Sequence, residues 1–413
     1  SSSAASDVYK RQGDYLVKFA VQTGDGNFSG NEGTSTLNAN ITLTTDSSGT
    51  ARISYTAGSQ EGENIITATG LPALQVGSPA NFTLTVLPRK PNKLIKRSGD
   101  NPQQVATVNS LLSSPFKVRI LDPFGNNMNG GIKVIFKVLN GGGKFSSLDS
   151  AIVESNTDGE AEATLRLGTL AGTQSVKVYL LNYPDVPSVT FNAIATPGPA
   201  AKMLTAIANP FTYKAGYSPI PLQIKITDQY DNPKPGHQVE FKITQGNGQL
   251  EGGTSPVNVN SNNQGIATVN FKLGTNVSVI NLVTATSYKV NSQQQLTGSP
   301  YTFRGFVTPD TAHHIVKISG DNPIQQAPIG SVLPDSFVIQ IRDQYNNPVP
   351  AQMVTFEALC QDGRIGNNTI LDRTTDDNGE AFVFYTLCFK AGESSDSVSV
   401  YIKNRSDINP VLF

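Results

Sequence analysis

The feature that most constrains this chain is that it repeats itself about every 110 residues, so it must fold as several units of one kind. Pro88-Arg89-Lys90-Pro91-Asn92-Lys93-Leu94-Ile95 returns as Pro197-Gly198-Pro199-Ala200-Ala201-Lys202-Met203-Leu204, and again from Pro309 to Val316. Asp122-Pro123-Phe124-Gly125-Asn126-Asn127 returns as Asp228-Gln229-Tyr230-Asp231-Asn232-Pro233 and Asp343-Gln344-Tyr345-Asn346-Asn347-Pro348. Val17-Lys18-Phe19, Val134-Ile135-Phe136, Val239-Glu240-Phe241 and Val354-Thr355-Phe356 each lead into a loop containing glycine. An Asx-and-glycine turn follows in all four copies, ending at Gly49, Gly159, Gly265 and Gly379. These landmarks divide the 413 residues into an unmatched leader (1–12, expected to be foreign or disordered sequence) and four repeats: 13–88, 89–197, 198–309 and 310–413.

Within a copy the apolar period is two. Val134, Phe136 and Val138 alternate with Lys133 and Lys137, and Ala161, Ala163, Leu165 and Leu167 alternate with Glu160, Glu162, Thr164 and Arg166. That is the pattern of a half-buried antiparallel strand, and no stretch has helical spacing. The 37 Gly and 25 Pro are spread along the chain, which suits short strands joined by tight turns. Asn and Asp side chains bond nearby backbone amides there, proline presets φ, and glycine accepts positive φ. Seven or so strands per copy predict an all-β chain of tandem immunoglobulin-like sandwiches, arranged as an elongated rod.

Composition narrows the function. Lys and Arg number 31 against 32 Asp and Glu, a net charge of −1, which argues against binding a phosphate backbone. No run of 18 apolar residues occurs, so no helical membrane span is expected. Three histidines and two cysteines are too few for a zinc site of the usual kind, and no cofactor is expected. No Gly-x-Ser-x-Gly elbow, phosphate loop or His-Glu-x-x-His motif is present.

The run from Ser319-Gly320-Asp321-Asn322-Pro323 through Leu333-Pro334-Asp335-Ser336-Phe337, Asp343 to Val349, Val354 to Phe356, and Asp377 to Ala381 resembles the group-1 bacterial Ig-like domain. That repeat belongs to invasin- and intimin-type surface adhesins and to large secreted bacterial proteins. The resemblance covers nearly everything from Gly13 onward; copy three departs from it, carrying Ala208-Asn209-Pro210-Phe211 in place of the Gly-Asp-Asn run. It implies an extracellular stalk, and leaves binding specificity to a terminal domain elsewhere. Copy one starts at the equivalent of Gly130 and so lacks the first two strands; copy four stops at Phe413, inside its last strand. The chain is therefore expected to be a piece of a longer protein, with open strand edges in copy one.

Candidate sites follow from tracing strand direction. Cys360 and Cys388 fall at the same pole of copy four and are the candidate disulfide, worth about 3 kcal/mol by loop entropy. Asp228 and Asp231, with the Asn262-Asn263 turn, gather at one pole of copy three, as do Asp343, Asp376 and Asp377 in copy four. Oxygen ligands at a junction can hold Ca²⁺. The same residues also cap turns, and the proline-rich linkers bring few carboxylates, which favours capping. His313 and His314 occupy a polar strand start. The expected function is a non-catalytic stalk of a bacterial surface or secreted adhesin-like protein, monomeric, with a host-surface or glycan ligand bound elsewhere in the full protein. The alternative is a set of accessory modules of a secreted polysaccharide-acting enzyme, with Tyr213, Tyr217, Tyr230 and Tyr345 as glycan contacts.

Overall fold

In the second repeat, Phe116, Val118 and Ile120 are fully buried while Lys117 and Arg119, between them, face outward and pair with Glu160 and Glu162. That alternation makes Phe116–Leu121 the centre of a three-stranded antiparallel sheet, between Lys93–Ser98 and Glu160–Ala163. The facing sheet runs Ser150–Glu154, Lys133–Asn140, Gly172–Leu180, Val189–Thr196, Gln104–Thr107. Its last pair is parallel, because the chain leaves the first sheet after Ser98 and joins the second at Gln104. Two layers sharing their first strand in this order form an immunoglobulin-like sandwich. Between the layers Phe116 stacks on Phe191 with ring centroids 4.7 Å apart, and Val134, Phe136, Val176 and Val178 complete the core.

The computed structural model describes residues 14–29, 39–72, 77–205, 207–217, 219–389 and 396–413; the leader 1–12 lies outside these. The chain forms two compact units, 1–197 and 198–413, each holding two sequence repeats.

The third repeat follows the same plan, with Ile220–Thr227 central to one sheet and Asn281–Thr286 to the other. Phe211–Lys214 makes its parallel edge against Tyr301–Thr308. Copy three's departure from the family phrase falls at this crossing. There the Asn209 side chain bonds both Thr302 and Arg304 of the neighbouring strand, while Gln104 and Gln325 tie the corresponding segment of copies two and four to Gly99 and Gly320. In the fourth repeat Ala312–Ser319, Phe337–Asp343 and Glu380–Val383 face Ile370–Thr374, Met353–Ala358, Val398–Ile402 and Val411–Leu412. Phe337 stacks on Phe413 at 4.5 Å, as Phe116 does on Phe191.

The first repeat has one four-stranded sheet, Asn40–Thr44, Leu16–Thr23, Gly62–Leu71, Ala80–Val86. Against it, among the described residues, lies only a short ladder of Asn27–Ser29 with Ser54–Thr56. Its core is correspondingly thin, with Phe19, Phe28 and Ile66 buried.

The glycine of the recurring turn has a packing reason. Gly159, Gly265 and Gly379 have φ of +71°, +76° and +71°, and a Cβ there would come within 2.6 Å of Met128 O, 2.5 Å of Ile226 O and 2.8 Å of Val349 N respectively. Only glycine allows both the left-handed backbone and so close an approach.

Candidate functional site at the repeat junctions

Each of repeats two to four begins with a linker that passes the turn joining its second and third strands. The turn starts at an aspartate that the preceding strand carries into the interior: Asp122, Asp228 and Asp343 are 3%, 0% and 0% exposed. A buried carboxylate must have its lone pairs filled, and the turn supplies the donors. Asp228 Oδ1 accepts the amides of Tyr230 at 2.8 Å and Asn232 at 3.0 Å. Its Oδ2 accepts Asn232 Nδ2 at 2.9 Å and the linker amide of Gly198 at 2.8 Å. Asp343 repeats this with Tyr345, Asn347 and the linker amide of Asp310, and Asp122 with Phe124, Asn126 and the linker amide of Arg89. Burial pushes the pKa of Asp122 and Asp228 up, but these hydrogen bonds outweigh it and hold both carboxyls below the ordinary aspartate value.

The asparagine four residues on has a second amide hydrogen, and in repeats two and four this one crosses to the neighbouring repeat. Asn347 Nδ2 donates to Thr275 O of repeat three at 2.7 Å, and its Oδ1 accepts Val277 N at 3.1 Å. Asn126 does the same toward repeat one, donating to Ser59 O and accepting Glu61 N at 3.4 Å. The aromatic residue of the turn joins in: the hydroxyl of Tyr345 lies where a Cβ on Gly216 would stand, and Phe124 sits under the Arg89 guanidinium at 4.8 Å. One Asp-x-x-x-Asn segment thus closes its own turn, fixes the incoming linker and binds the preceding repeat.

The other acidic candidates do different work. Asp231, at φ +70° in the Asp228 turn, reaches Lys202 at 2.8 Å. Asp376 Oδ1 accepts the amides of Asn378 and Glu380, both at 2.9 Å, and Asp377 is exposed. Asn262 caps its turn in the same way, through the amides of Gln264 and Ile266. Among the described residues, the only group of three His, Cys, Asp or Glu ligand atoms close enough for one metal ion is Cys360, Cys388 and Asp396, and there the two sulfurs are bonded to each other.

That disulfide joins residues whose Cα atoms are 6.5 Å apart. Cys388 stands where repeats two and three have Gly168 and Gly274, and Asp396 accepts both its amide and the Tyr385 hydroxyl at 3.1 Å. Burial, then the Asp396 charge, pushes the Tyr385 pKa well up.

Of the tyrosines weighed as glycan contacts, Tyr213 and Tyr217 stack on each other at 4.6 Å and Tyr345 lies in the repeat-three-to-four joint. His313 and His314 stand edge to face, 5.6 Å apart. Sequence reasoning passed over His237, which is buried beside a cleft of about 470 Å³ with Glu240, Asn258 and Tyr288. Burial lowers its pKa. It also passed over the outward reach of Asn126 and Asn347; the four-residue spacing from the aspartate was the available signal.

Fold and joints together define a chain of tandem immunoglobulin-like modules. No family model matches the sequence. Among solved structures it is similar to FdeC, an Escherichia coli adhesin, at 14% identity over 78% of this chain and 95% of that one, with a TM-score of 0.49. It is also similar to invasin, a bacterial integrin-binding protein (16%, 99% and 73%, TM-score 0.40), and to InvD of Yersinia pseudotuberculosis (16%, 75% and 94%, TM-score 0.42). The adhesin group named from the sequence motifs is thus represented among the structures this chain resembles. No helix among the described residues is long and apolar enough to cross a membrane.

Proposed function

We propose that this chain is a non-catalytic spacer of a bacterial cell-surface or secreted adhesin-like protein, holding a binding module supplied elsewhere in that protein. The observation that carries the reading is the joint, in which a buried aspartate and its asparagine tie linker, turn and preceding repeat together. A spacer needs its modules to resist bending at the links, and short hydrogen bonds from buried groups do that better than a loose linker. The buried sheets between the joints supply resistance to extension. The Cys360–Cys388 disulfide supports an oxidising location outside the cytosol.

Stretching the chain from its ends in a single-molecule experiment tests this. Repeats two and three should unfold in separate events, each releasing about 35 nm of chain at ~3.5 Å per residue. A single cooperative event, or a featureless extension, would overturn the reading.

A further inference from the structure

The third repeat carries a segment that repeats two and four lack. Fourteen residues, 287–300, connect its last two strands, where repeats two and four use eight, 181–188 and 403–410. The extra length folds back on itself: Tyr288 pairs with Gln295, and the Lys289 amide donates to Gln294 O at 2.8 Å. Its return leg is anchored, with Leu296 buried in the core and Thr297 bonding the backbone of both Ala201 and Met203. The buried His237 ring bonds the Tyr288 backbone. The hairpin thus makes a fixed wall of the cleft of about 470 Å³.

The floor of that cleft is a row of three polar side chains. Glu240 lies between the buried Val239 and Phe241, so it points away from the core, and its cross-strand neighbours are Asn258 on one side and Thr286 on the other. The same row is Ile152, Ile135 and Tyr179 in repeat two. In repeat four it is Asp372, Thr355 and Tyr401, and there Thr355 donates to Asp372 at 2.7 Å. In repeat three, among the described residues, no hydrogen bond or ion pair engages the side chain of Glu240, Asn258 or Thr286. The wall adds Tyr288, 43% exposed, and Lys289, whose ammonium is held by Gln294 Oε1 at 3.0 Å.

We propose that this cleft binds a sugar unit of a neutral oligosaccharide. Cross-strand neighbours stand about 5 Å apart, a spacing that a pyranose ring spans. A carboxylate flanked by an amide and a hydroxyl offers the sugar's hydroxyls both acceptors and donors. The Tyr288 ring gives an apolar surface for the sugar's C–H face. The volume falls within the ~300–1,000 Å³ of small-ligand sites. Charge disfavours other ligands: a phosphate or sulfate would meet Glu240 at the centre of the floor, and one carboxylate supplies too few oxygens to hold a cation. The inference stands apart from the spacer reading, since it concerns one face of one repeat.

The test is an array of neutral, sialylated and sulfated oligosaccharides probed with the full chain, followed by calorimetric titration of the tightest neutral one. The chain should retain neutral oligosaccharides. Glu240→Gln and Tyr288→Ala should each weaken binding by about tenfold, the order expected for losing a charge-assisted hydrogen bond or an aromatic contact. Both side chains lie outside the core, so the repeat stays folded, which unchanged amide exchange at residues 238–245 would verify. Absence of binding across the array, retention of sialylated or sulfated glycans alone, or binding indifferent to both substitutions would each overturn the proposal. None of these outcomes bears on the stretching behaviour that tests the spacer reading.

Discussion

Replacing Asp228 by asparagine keeps the shape of the side chain and removes its charge. Four donors converge on the carboxylate, two on each oxygen. An amide has one oxygen, so whichever way the substituted side chain turns, two donors face an NH₂ and lose their acceptor. Hydrogen bonds to a charged group contribute about 1.5–3 kcal/mol each, so two such losses in a buried site cost on the order of 3–5 kcal/mol. That is a large share of the roughly 5–15 kcal/mol that holds a domain folded. Amide hydrogen exchange under native conditions reads repeat three separately from its neighbours. Its slowest amides should exchange about 10²–10³-fold faster in the variant, at about 1.4 kcal/mol per factor of ten. The effect should also depend on pH. The folded pKa of Asp228 lies below that of the unfolded chain, near 3.9, so its contribution is complete above that value. It is lost as pH falls through the folded pKa, and the difference between wild type and Asp228→Asn should shrink below about pH 4. A difference under about 0.5 kcal/mol at neutral pH, or one independent of pH down to about 2, would refute the account of the buried turn.

Asn347→Ala removes the bonds to Thr275 and Val277 together with one to Asp343; exchange at the Val277 amide should rise by about tenfold or more while the core strands of repeat three stay protected. Unchanged exchange at Val277 would show that the bond does not hold the joint. Reducing the disulfide should cost repeat four about 2–4 kcal/mol and leave the other repeats unaffected. In the stretching experiment, breaking the bond should add about 10 nm to the length repeat four releases, for the 28-residue separation at ~3.5 Å per residue; identical traces with and without reductant would count against it.

Much of the fold was legible because the apolar period and the turns are local properties. Ala161, Leu165 and Leu167 are buried as their alternation requires. In the fourth repeat, where apolar residues stand at four successive positions, Val383 and Tyr385 face the core while Phe382 and Phe384 are 57% and 50% exposed. Residue type did not give the inward face there; strand register did. The parallel edges at Gln104–Thr107 and Phe211–Lys214 were not legible, since a four-residue strand leaves no periodicity to read and its partner lies over 80 residues away. The aspartate turns were visible as turns. Their role as joints was not, because it depends on where the spare amide hydrogen of Asn126 or Asn347 finds the neighbouring repeat. In the second Asx turn the capping residue equivalent to Asn156, Asn262 and Asp376 is Asp46, which accepts the amides of Ser48 and Thr50.

The two joints described are closed by amide hydrogens, which already occupy the carboxylate lone pairs that a dissolved cation would need. Moving from dilute buffer to brine shortens the reach of exposed charges from about 30 Å to about 3 Å, yet the contacts of Asp343 and Asn347 all lie within 3.1 Å and largely out of water's way. If the spacer reading holds, these two joints should keep the same strength in fresh water, in seawater and in the presence of a chelator.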